Sequence, residues 1–232
     1  MIKAWSYSRL VDYEQCPRRA QLKYIDKVPE PERPLPPGKT EHANDRGTRV
    51  HEAAEHFVKG KIEFIPELKK FQAEFEGLRK LYSEGKVSLE GEWAFDKDWA
   101  SVAWMSEDCW SRVKLDVAVD LTKTHAAVID FKTGKRYGNE VKHAEQGQLY
   151  QVAKFMRDPN IQKVEVELWY TDLDHIESFS FTRQYGLKLL KKFHERGEAM
   201  TQAVDFPARP SAFTCKWCPY KNNAEVCPEG AR

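Results

Sequence analysis

An aspartate and a lysine two residues apart form the sharpest chemical signal in the sequence, within residues 128–134 (VIDFKTG). The apolar residues beside them predict a strand, and because strand side chains alternate, Asp130 and Lys132 should share one face while Phe131 points into the core. A carboxylate can hold a divalent cation, and a neighbouring ammonium can stabilise charge on a phosphate and help to orient an attacking water. The pair therefore indicates phosphodiester hydrolysis, with a solvated Asp/Lys pair on an edge strand as the alternative.

A second aspartate, Asp116, lies on the strand predicted for residues 110–121. The alternate apolar residues of that strand should share one face, which leaves Asp116 on the other. These apolar residues are Val113, Leu115, Val117 and Val119. A hairpin around residues 122–125 would bring Asp116 close to Asp130. Two carboxylates on adjacent strands repel each other unless a cation lies between them, so this pairing indicates a metal site.

A histidine on a predicted helix could add a nitrogen ligand to that site. His51 lies four residues after Gly47, about one turn along the helix predicted for residues 46–59. A lone histidine among apolar helix neighbours is more often a core residue than a ligand, and both interpretations stay open. As a ligand among oxygen donors, it would shift the metal preference toward Mn²⁺.

A glutamine and a tyrosine, Gln146 and Tyr150, lie one turn apart on the helix predicted for residues 144–156. They flank the apolar stripe of that helix on the same side, whereas Gln148 lies on the opposite flank. The pair could position the lysine or the substrate, or it could be the polar rim of an ordinary amphipathic helix.

Four of the five cysteines are spaced as in metal sites. Cys215, Cys218 and Cys227 lie together in the C-terminal tail, and Cys16 lies near the N-terminus. Four thiolates can complete either a tetrahedral zinc site or a [4Fe–4S] cluster, and the spacing leaves both open. Either centre would staple the two ends of the chain together, a structural role rather than a redox one. Cys109 has no partner motif and is expected to be an inert thiol.

In their order along the chain, these features resemble the PD-(D/E)XK nucleases. They are similar in particular to the RecB-type branch, which includes the AddB nuclease domain, CRISPR-associated adaptation exonucleases and phage exonucleases. The residues that carry the resemblance are Gly47 with His51, Asp116, the Asp130-Phe131-Lys132 triplet, Gln146 with Tyr150, and the four cysteines. The branch usually has a glutamate on the strand before the first aspartate. Glu90 and Glu92 both qualify, and their spacing predicts that they face the same side.

The resemblance implies a metal-dependent DNA exonuclease that acts in phage, recombination or CRISPR-adaptation DNA processing, on single-stranded DNA or duplex ends. It implies Mg²⁺ or Mn²⁺ held by His51, Asp116, Asp130 and the Phe131 backbone carbonyl. It implies the catalytic residues Asp116, Asp130, Lys132, Gln146 and Tyr150. It also implies a [4Fe–4S] cluster, rather than zinc, on Cys16, Cys215, Cys218 and Cys227. A structure-specific DNA endonuclease with the same site and a non-catalytic iron–sulfur DNA-binding subunit are the alternatives.

The elements that must position these residues follow an order typical of a mixed α/β fold: helices, strands, a helix, a strand and a long helix at residues 185–204. With the resemblance, this order predicts a restriction-endonuclease-like core, a mixed central sheet flanked by helices. N-terminal helices and the C-terminal cysteine tail would be joined by the metal cluster. We expect one nuclease domain, residues 1–232, in which residues 46–204 form the catalytic core. Residues 1–45 and 205–232 would form the cluster subregion.

Composition narrows the possible partners and compartments. The chain has 232 residues, of which 41% are hydrophobic and 12% aromatic, enough for a substantial core. The net charge of +1 is no signal for a polyanion, so nucleic acid would have to be bound by local basic patches. No apolar run approaches the roughly 18 residues of a membrane span. Five cysteines and no apparent signal peptide favour the cytoplasm of a bacterial, archaeal or phage-infected cell.

Overall fold

The structure, a computed structural model, describes residues 1–231 and contains a six-stranded sheet. The strands are β1 (Val87–Phe95), β2 (Ser101–Val102), β3 (Ser111–Asp120), β4 (His125–Lys132), β5 (Lys163–Tyr170) and β6 (His175–Thr182). The helices are α1 (Tyr7–Gln15), α2 (Pro17–Tyr24), α3 (Ala43–Val58), α4 (Gln72–Ser83), α5 (Glu140–Arg157), α6 (Arg183–Gly186), α7 (Lys188–Thr201) and α8 (Ala212–Cys215). Short 3-10 helices cover Pro66–Phe71 and Pro228–Ala231.

The sheet is mixed, as the sequence predicted. Its strands are arranged in the order β2-β1-β3-β4-β5-β6, and every neighbouring pair is antiparallel except β4 and β5. A parallel pair needs a long crossover, which α5 provides here. Leu149, Val152 and Ala153 of α5 are fully buried against the sheet, which explains the apolar stripe seen in the sequence.

Both faces of the sheet are covered. On one face, an apolar cluster joins α1, α5 and α7 through residues such as Leu10, Leu149 and Phe193. On the other face, a second cluster joins α3 and α4 to the sheet through Val50 and Phe75. Since side chains in the middle of the sheet are enclosed on both faces, a site that admits a large substrate has to lie at an end of the strands.

The alternation of β3 reverses halfway along the strand, so the prediction that its four apolar residues share one face was wrong. Val113 and Leu115 pack in the cluster with α5, whereas the two apolar residues after Asp116 pack in the cluster with α3. On β1, Glu90 has a φ of 48°, in the left-handed region, beside this point. Such a local irregularity re-aims the side chains that follow it, and a period-two pattern cannot reveal it.

Several element boundaries also differ from the predicted ones. The helix α5 begins at Glu140, ahead of the predicted start at residue 144, and β2 had not been predicted. The long C-terminal helix is divided into α6 and α7. The helices α1 and α2 are separated at Cys16, and Pro17 occupies the first turn of α2. Of the helices within residues 1–231, none is both long and apolar enough to cross a membrane.

Candidate active site

The strands β3 and β4 separate just before the two aspartates. Their ladder of backbone pairs ends at Val117 and Ile129, although β3 goes on pairing with β1, and β4 with β5. Asp116 and Asp130 are the next residues on the two diverging strands. We call this opening the strand fork; its closed end is where the two aspartates lie.

The carboxylate of Asp116 takes the place of the missing ladder partner. Its Oδ2 accepts a hydrogen bond from the backbone N–H of Phe131 at 2.7 Å, and its Oδ1 lies 3.1 Å from Nδ1 of His51 on α3. A strand residue directs its N–H and C=O toward the same neighbour, so the Phe131 carbonyl also faces the fork. The Phe131 side chain is buried, as predicted.

Asp130 is held from the other side by residues of β4 and α5. Its Oδ1 accepts a hydrogen bond from the Tyr150 hydroxyl at 3.0 Å, and its Oδ2 forms an ion pair with the Lys132 ammonium. Lys132 in turn donates to Oε1 of Gln146 at 2.8 Å, and Nε2 of Gln146 donates to the Tyr150 hydroxyl at 2.6 Å. Gln148 lies away from this chain of contacts, where it accepts from Lys192 at 3.4 Å. The structure thus brings together all the side chains of the predicted catalytic site.

Burial and like charge set the electrostatics of the fork. Burial, followed by the negative charge of Asp130, raises the pKa of Asp116, although the hydrogen bond from His51 opposes this. For His51, burial lowers the pKa, but the hydrogen bond and the charge of Asp116 outweigh it and raise the pKa overall. Burial and the two aspartates also raise the pKa of Tyr150 well above its usual value, so this hydroxyl remains a donor. The fork therefore concentrates negative charge in a poorly solvated place.

The helix α3 approaches the end of β4 closely, which explains the spacing of Gly47 and His51. A Cβ at Gly47 would lie 3.3 Å from Oγ1 of Thr133, tighter than most side-chain contacts. Arg46 fastens the same turn through two hydrogen bonds, of 2.8 and 2.7 Å, to Asp172, which also accepts the Gly134 N–H. This anchor was not predicted from the sequence. Asp172 follows β5, and the carboxyl ends of parallel strands meet at one edge of a sheet, so its position could have indicated that it lies near the end of β4.

The two glutamates of β1 have different surroundings. Glu90 lies between the residues that pair with Val117 and Leu115, so it is level with Asp116, and its carboxylate forms a 2.7 Å ion pair with Lys114. Glu92 is exposed and pairs with Lys114 only through the strand register. Because the left-handed backbone at Glu90 interrupts the pleat, spacing alone does not decide which side each glutamate faces.

The donors around the fork fit a hard divalent cation. Carboxylate and carbonyl oxygens suit Mg²⁺ or Mn²⁺, and His51 adds a nitrogen. Oδ2 of Asp130 is buried and contacts the Lys132 ammonium. Within residues 1–231, no three His, Cys, Asp or Glu side chains stand ready to hold one metal ion. At the fork, the two carboxylates instead contact Lys132 and His51.

Four cysteines converge elsewhere, at the junction of α1, α2 and the C-terminal tail. Cys16, Cys215, Cys218 and Cys227 line one cavity of about 20 Å³, and none of them forms a disulfide. Burial raises the pKa of the Cys218 and Cys227 thiols, and the charge of other cysteines nearby, Cys16 in both cases, raises it further. We call this place the cysteine cavity. Sulfur donors of this kind are used by thiolate-bound metal centres, although within residues 1–231 no three of these cysteines are placed to hold one ion.

A few hydrogen bonds and a small apolar cluster around Leu22, Tyr220 and Cys227 hold the cysteine cavity together. Arg18 donates at 2.9 Å to the Val226 carbonyl, and the Tyr220 hydroxyl donates at 2.9 Å to the Val28 carbonyl. Arg209 donates to the Glu14 carbonyl at 2.8 Å. Cys109 lies apart from the cavity, buried with Ala4 and Ala94, as expected of an uninvolved thiol.

Comparison with known proteins gives a family and a fold. The model of the PD-(D/E)XK nuclease superfamily matches residues 4–228. The chain is similar to the crystal structure of SSO0001, with 14% identity and a TM-score of 0.52 over 96% of this chain and 86% of that one. It is also similar, at a TM-score of 0.34 and 12% identity over 86% of each chain, to an alkaline exonuclease (LHK-Exo) from Laribacter hongkongensis, a likeness too low to support inference. No curated protein sequence matches the chain.

Proposed function

The chain belongs to the PD-(D/E)XK nuclease superfamily, and from this premise we propose that it is a metal-dependent DNA exonuclease of the RecB-type branch. The observation that carries the proposal is the pair of aspartates at the closed end of the strand fork, Asp130 buried and Asp116 largely buried, with Lys132 against Asp130. A buried acidic pair is costly unless a cation offsets it, and a lysine beside it is of use where a phosphate reacts.

In this proposal the residues of the fork either bind the metal, act on the phosphate and water, or hold these groups in place. Asp116, Asp130, the Phe131 carbonyl and His51 would hold Mg²⁺ or Mn²⁺. The metal, when bound, polarises the phosphate and lowers the pKa of a bound water. Lys132 stabilises the charge that grows on the phosphate and orients the water, and Gln146 keeps its ammonium in place through the 2.8 Å contact. Tyr150 fixes the orientation of the Asp130 carboxylate.

We also propose that the cysteine cavity holds a [4Fe–4S] cluster. Its support is the convergence of four free cysteines from both ends of the chain, together with the resemblance of the ordered motifs to the RecB-type branch. In this proposal one nuclease domain spans the chain, with residues 46–204 as the catalytic core. Residues 1–45 and 205–232 form the cluster subregion.

Cleavage of end-labelled DNA tests the nuclease proposal. Single-stranded and duplex substrates are incubated with Mg²⁺, with Mn²⁺ or with EDTA, and Asp130→Asn should lose at least about a hundredfold in rate because it loses a charged ligand. Asp120→Asn is the matched control. Asp120 lies on the same strand as Asp116 and is likewise paired with a lysine, Lys154, at 2.7 Å, but it lies outside the fork.

Wild-type cleavage by Asp130→Asn, or equal loss in Asp120→Asn, would refute the assignment of the fork. A circular single-stranded substrate separates the two modes of cleavage. An exonuclease leaves the circle intact while it degrades the linear form of the same sequence, whereas an endonuclease opens the circle.

A further inference from the structure

A cavity of about 380 Å³ lies beside the catalytic residues, in the mouth of the strand fork. Where β4 diverges from β3, the N-terminal segment takes its place: the Trp5 N–H donates to the Trp110 carbonyl at 2.9 Å, and the Arg112 N–H donates to the Trp5 carbonyl at 2.8 Å. The cavity is enclosed by this segment, by β3 and by α5, and reaches Gln146 and Tyr150. It therefore adjoins the residues that contact Lys132 and Asp130.

The walls of this cavity combine cationic and apolar surfaces. Four basic residues line it, namely Arg9, Arg112, Lys114 and Lys142. No described residue that lines it is acidic. Val113, Leu149 and Trp5 supply an apolar floor. In addition, α1 begins here after Ser6, whose side chain makes no capping bond, and the first N–H groups of a helix have no acceptor inside it.

Arg112 is the most informative of the four cations. Its guanidinium stacks 5.1 Å over the ring of Trp104, and among the described residues its Nε is buried without a hydrogen-bond partner. A buried cationic donor that lacks an acceptor is costly, and a bound anion would satisfy it. Arginine suits a phosphate especially well because its planar fork can donate two parallel hydrogen bonds.

We propose that this cavity, which we call the nucleotide pocket, binds one unpaired nucleotide of the substrate strand, next to the phosphate that is cleaved. The inference rests on the nuclease function proposed above. Arg112 and Lys142 hold the phosphate of that nucleotide, and the apolar floor takes its base. An anion alone would not need the apolar floor, and an apolar ligand would not need four cations. A nucleotide needs both.

The geometry further specifies that the bound nucleotide is not base-paired. The cavity is of the size of a small-ligand site, and three walls of protein surround it. A base inside such a pocket has left its partner strand, as happens in enzymes that act on extruded or single-stranded bases. The pocket therefore favours single-stranded DNA, or frayed ends, over an intact duplex.

Binding measured without cleavage tests the pocket. Fluorescein-labelled oligothymidylate and a blunt hairpin duplex of equal length are titrated in EDTA and followed by fluorescence anisotropy. Arg112→Gln should bind the single strand about tenfold to a hundredfold more weakly, because one charge-assisted contact is lost, and should bind the duplex unchanged. With metal, cleavage of the single strand should show a raised KM at an almost unchanged kcat.

Two further variants control the interpretation. Arg157→Gln is the matched control, since the Arg157 guanidinium also lies over a tryptophan, Trp93, at 5.3 Å, but outside the pocket, and it should bind both probes like wild type. Lys142→Gln replaces an exposed lysine, so it should fold normally and weaken binding of the single strand in the same direction.

If both Arg112→Gln and Lys142→Gln bind the single strand like wild type, the proposal that this pocket binds a nucleotide is refuted. An equal loss for the duplex and the single strand would overturn the claim that the nucleotide is unpaired. These results are independent of the cleavage test, because no divalent metal is present. If Asp130→Asn cleaves like wild type while Arg112→Gln fails to bind, the assignment of the fork fails and the pocket stands.

Discussion

The strand fork and the cysteine cavity both gather groups that suit a metal, but the protein supports them in different ways. Side chains in the fork come from α3, β3, β4 and α5, and protein contacts already satisfy most of their polar atoms. In the cysteine cavity, Cys16 lies between two helices, Cys215 ends a one-turn helix, and the other two lie in turns. The fork is therefore shaped by the sheet, whereas the cavity is formed by helix ends and turns from distant parts of the sequence.

This difference separates activity from stability. Removing a carboxylate from the fork relieves repulsion in a frame that persists without it, so the effect should fall on catalysis. Removing a cysteine would remove a link between segments that share few hydrogen bonds, so the effect should fall on folding. The four predictions below, in decreasing order of effect, would strengthen or break this contrast.

The largest expected effect is the loss of cleavage in Asp116→Asn. The variant would lose a charged ligand of the metal, so cleavage should fall about a thousandfold. Its melting temperature should stay within about 3 °C of wild type or rise, because the amide no longer repels Asp130. Rates from initial velocities and melting by circular dichroism provide the two measurements. A melting temperature far below that of wild type would show that the fork is not preorganised.

The next effect is on stability, in Cys16→Ser. Joining residue 16 to the tail closes a loop of nearly the whole chain, worth on the order of 5 kcal/mol, so the melting temperature should drop by about 10–20 °C. Anaerobically purified wild-type protein should be brown, with about four irons per chain by elemental analysis, and the variant should lose both.

Cys109→Ser is the control for that experiment, because Cys109 is buried away from the cavity. It should keep its iron content, and it should melt close to wild type. One zinc per chain and no colour would show that the cavity binds zinc instead of a cluster. The metal would still link the two ends of the chain. Full metal content in Cys16→Ser would disprove that tie.

A smaller effect is expected where the two regions meet, at Arg196 of α7. Arg196 donates to Glu14 of α1 at 2.6 and 2.7 Å and lies 2.9 Å from Glu145, the residue before Gln146 on α5. Arg196→Gln leaves Glu14 without its ion pair, whereas Glu145 keeps Lys192 at 2.7 Å, and should cost about 2 kcal/mol of stability. It should also lower kcat severalfold with KM unchanged, because Gln146 is less well positioned. An unchanged kcat would mean that the regions are independent.

The smallest expected effect is on the pH dependence of stability, at His143 on α5. Burial, with the positive charge of Lys132, lowers the pKa of His143 to about 4. The unfolded chain, with a histidine pKa near 6.5, takes up a proton below that pH while the folded chain does not, so stability falls as pH falls from about 6.5 to 4. His143→Gln should gain about 1 kcal/mol over wild type near pH 5 in urea unfolding, and nothing at pH 8. An equal difference at both pH values would exclude this proton linkage.

The sequence predicted the parts of the molecule that depend on local spacing. Asp130 and Lys132 share a face because a strand has a period of two, and Gln146 contacts Tyr150 because a helix returns after about four residues. The mixed sheet followed from the change between these periods. The choice of Gln146 over Gln148 followed from the same helical geometry.

What the sequence did not reveal depends on distant partners. The fork exists because β4 leaves β3 and Trp5 pairs there instead, a bridge between residues about a hundred positions apart that no local pattern encodes. The reversal of the β3 faces occurs beside the left-handed backbone of Glu90, and residue type does not reveal it. In the sequence, Arg112 is indistinguishable from any charged residue on a strand, because only the fold places it in the same cavity as α5.

The bridge at Trp5 also has a consequence for the order in which a newly made chain becomes active. Trp5 leaves the ribosome first, but its partner strand follows about a hundred residues later, and closing so long a loop is slow. That pairing can form before either aspartate has been made, because residues 110–112 precede Asp116. The wall that α5 contributes, through Gln146 and Tyr150, follows both aspartates along the chain. A nascent chain thus carries both aspartates before the last wall of the cavity is in place.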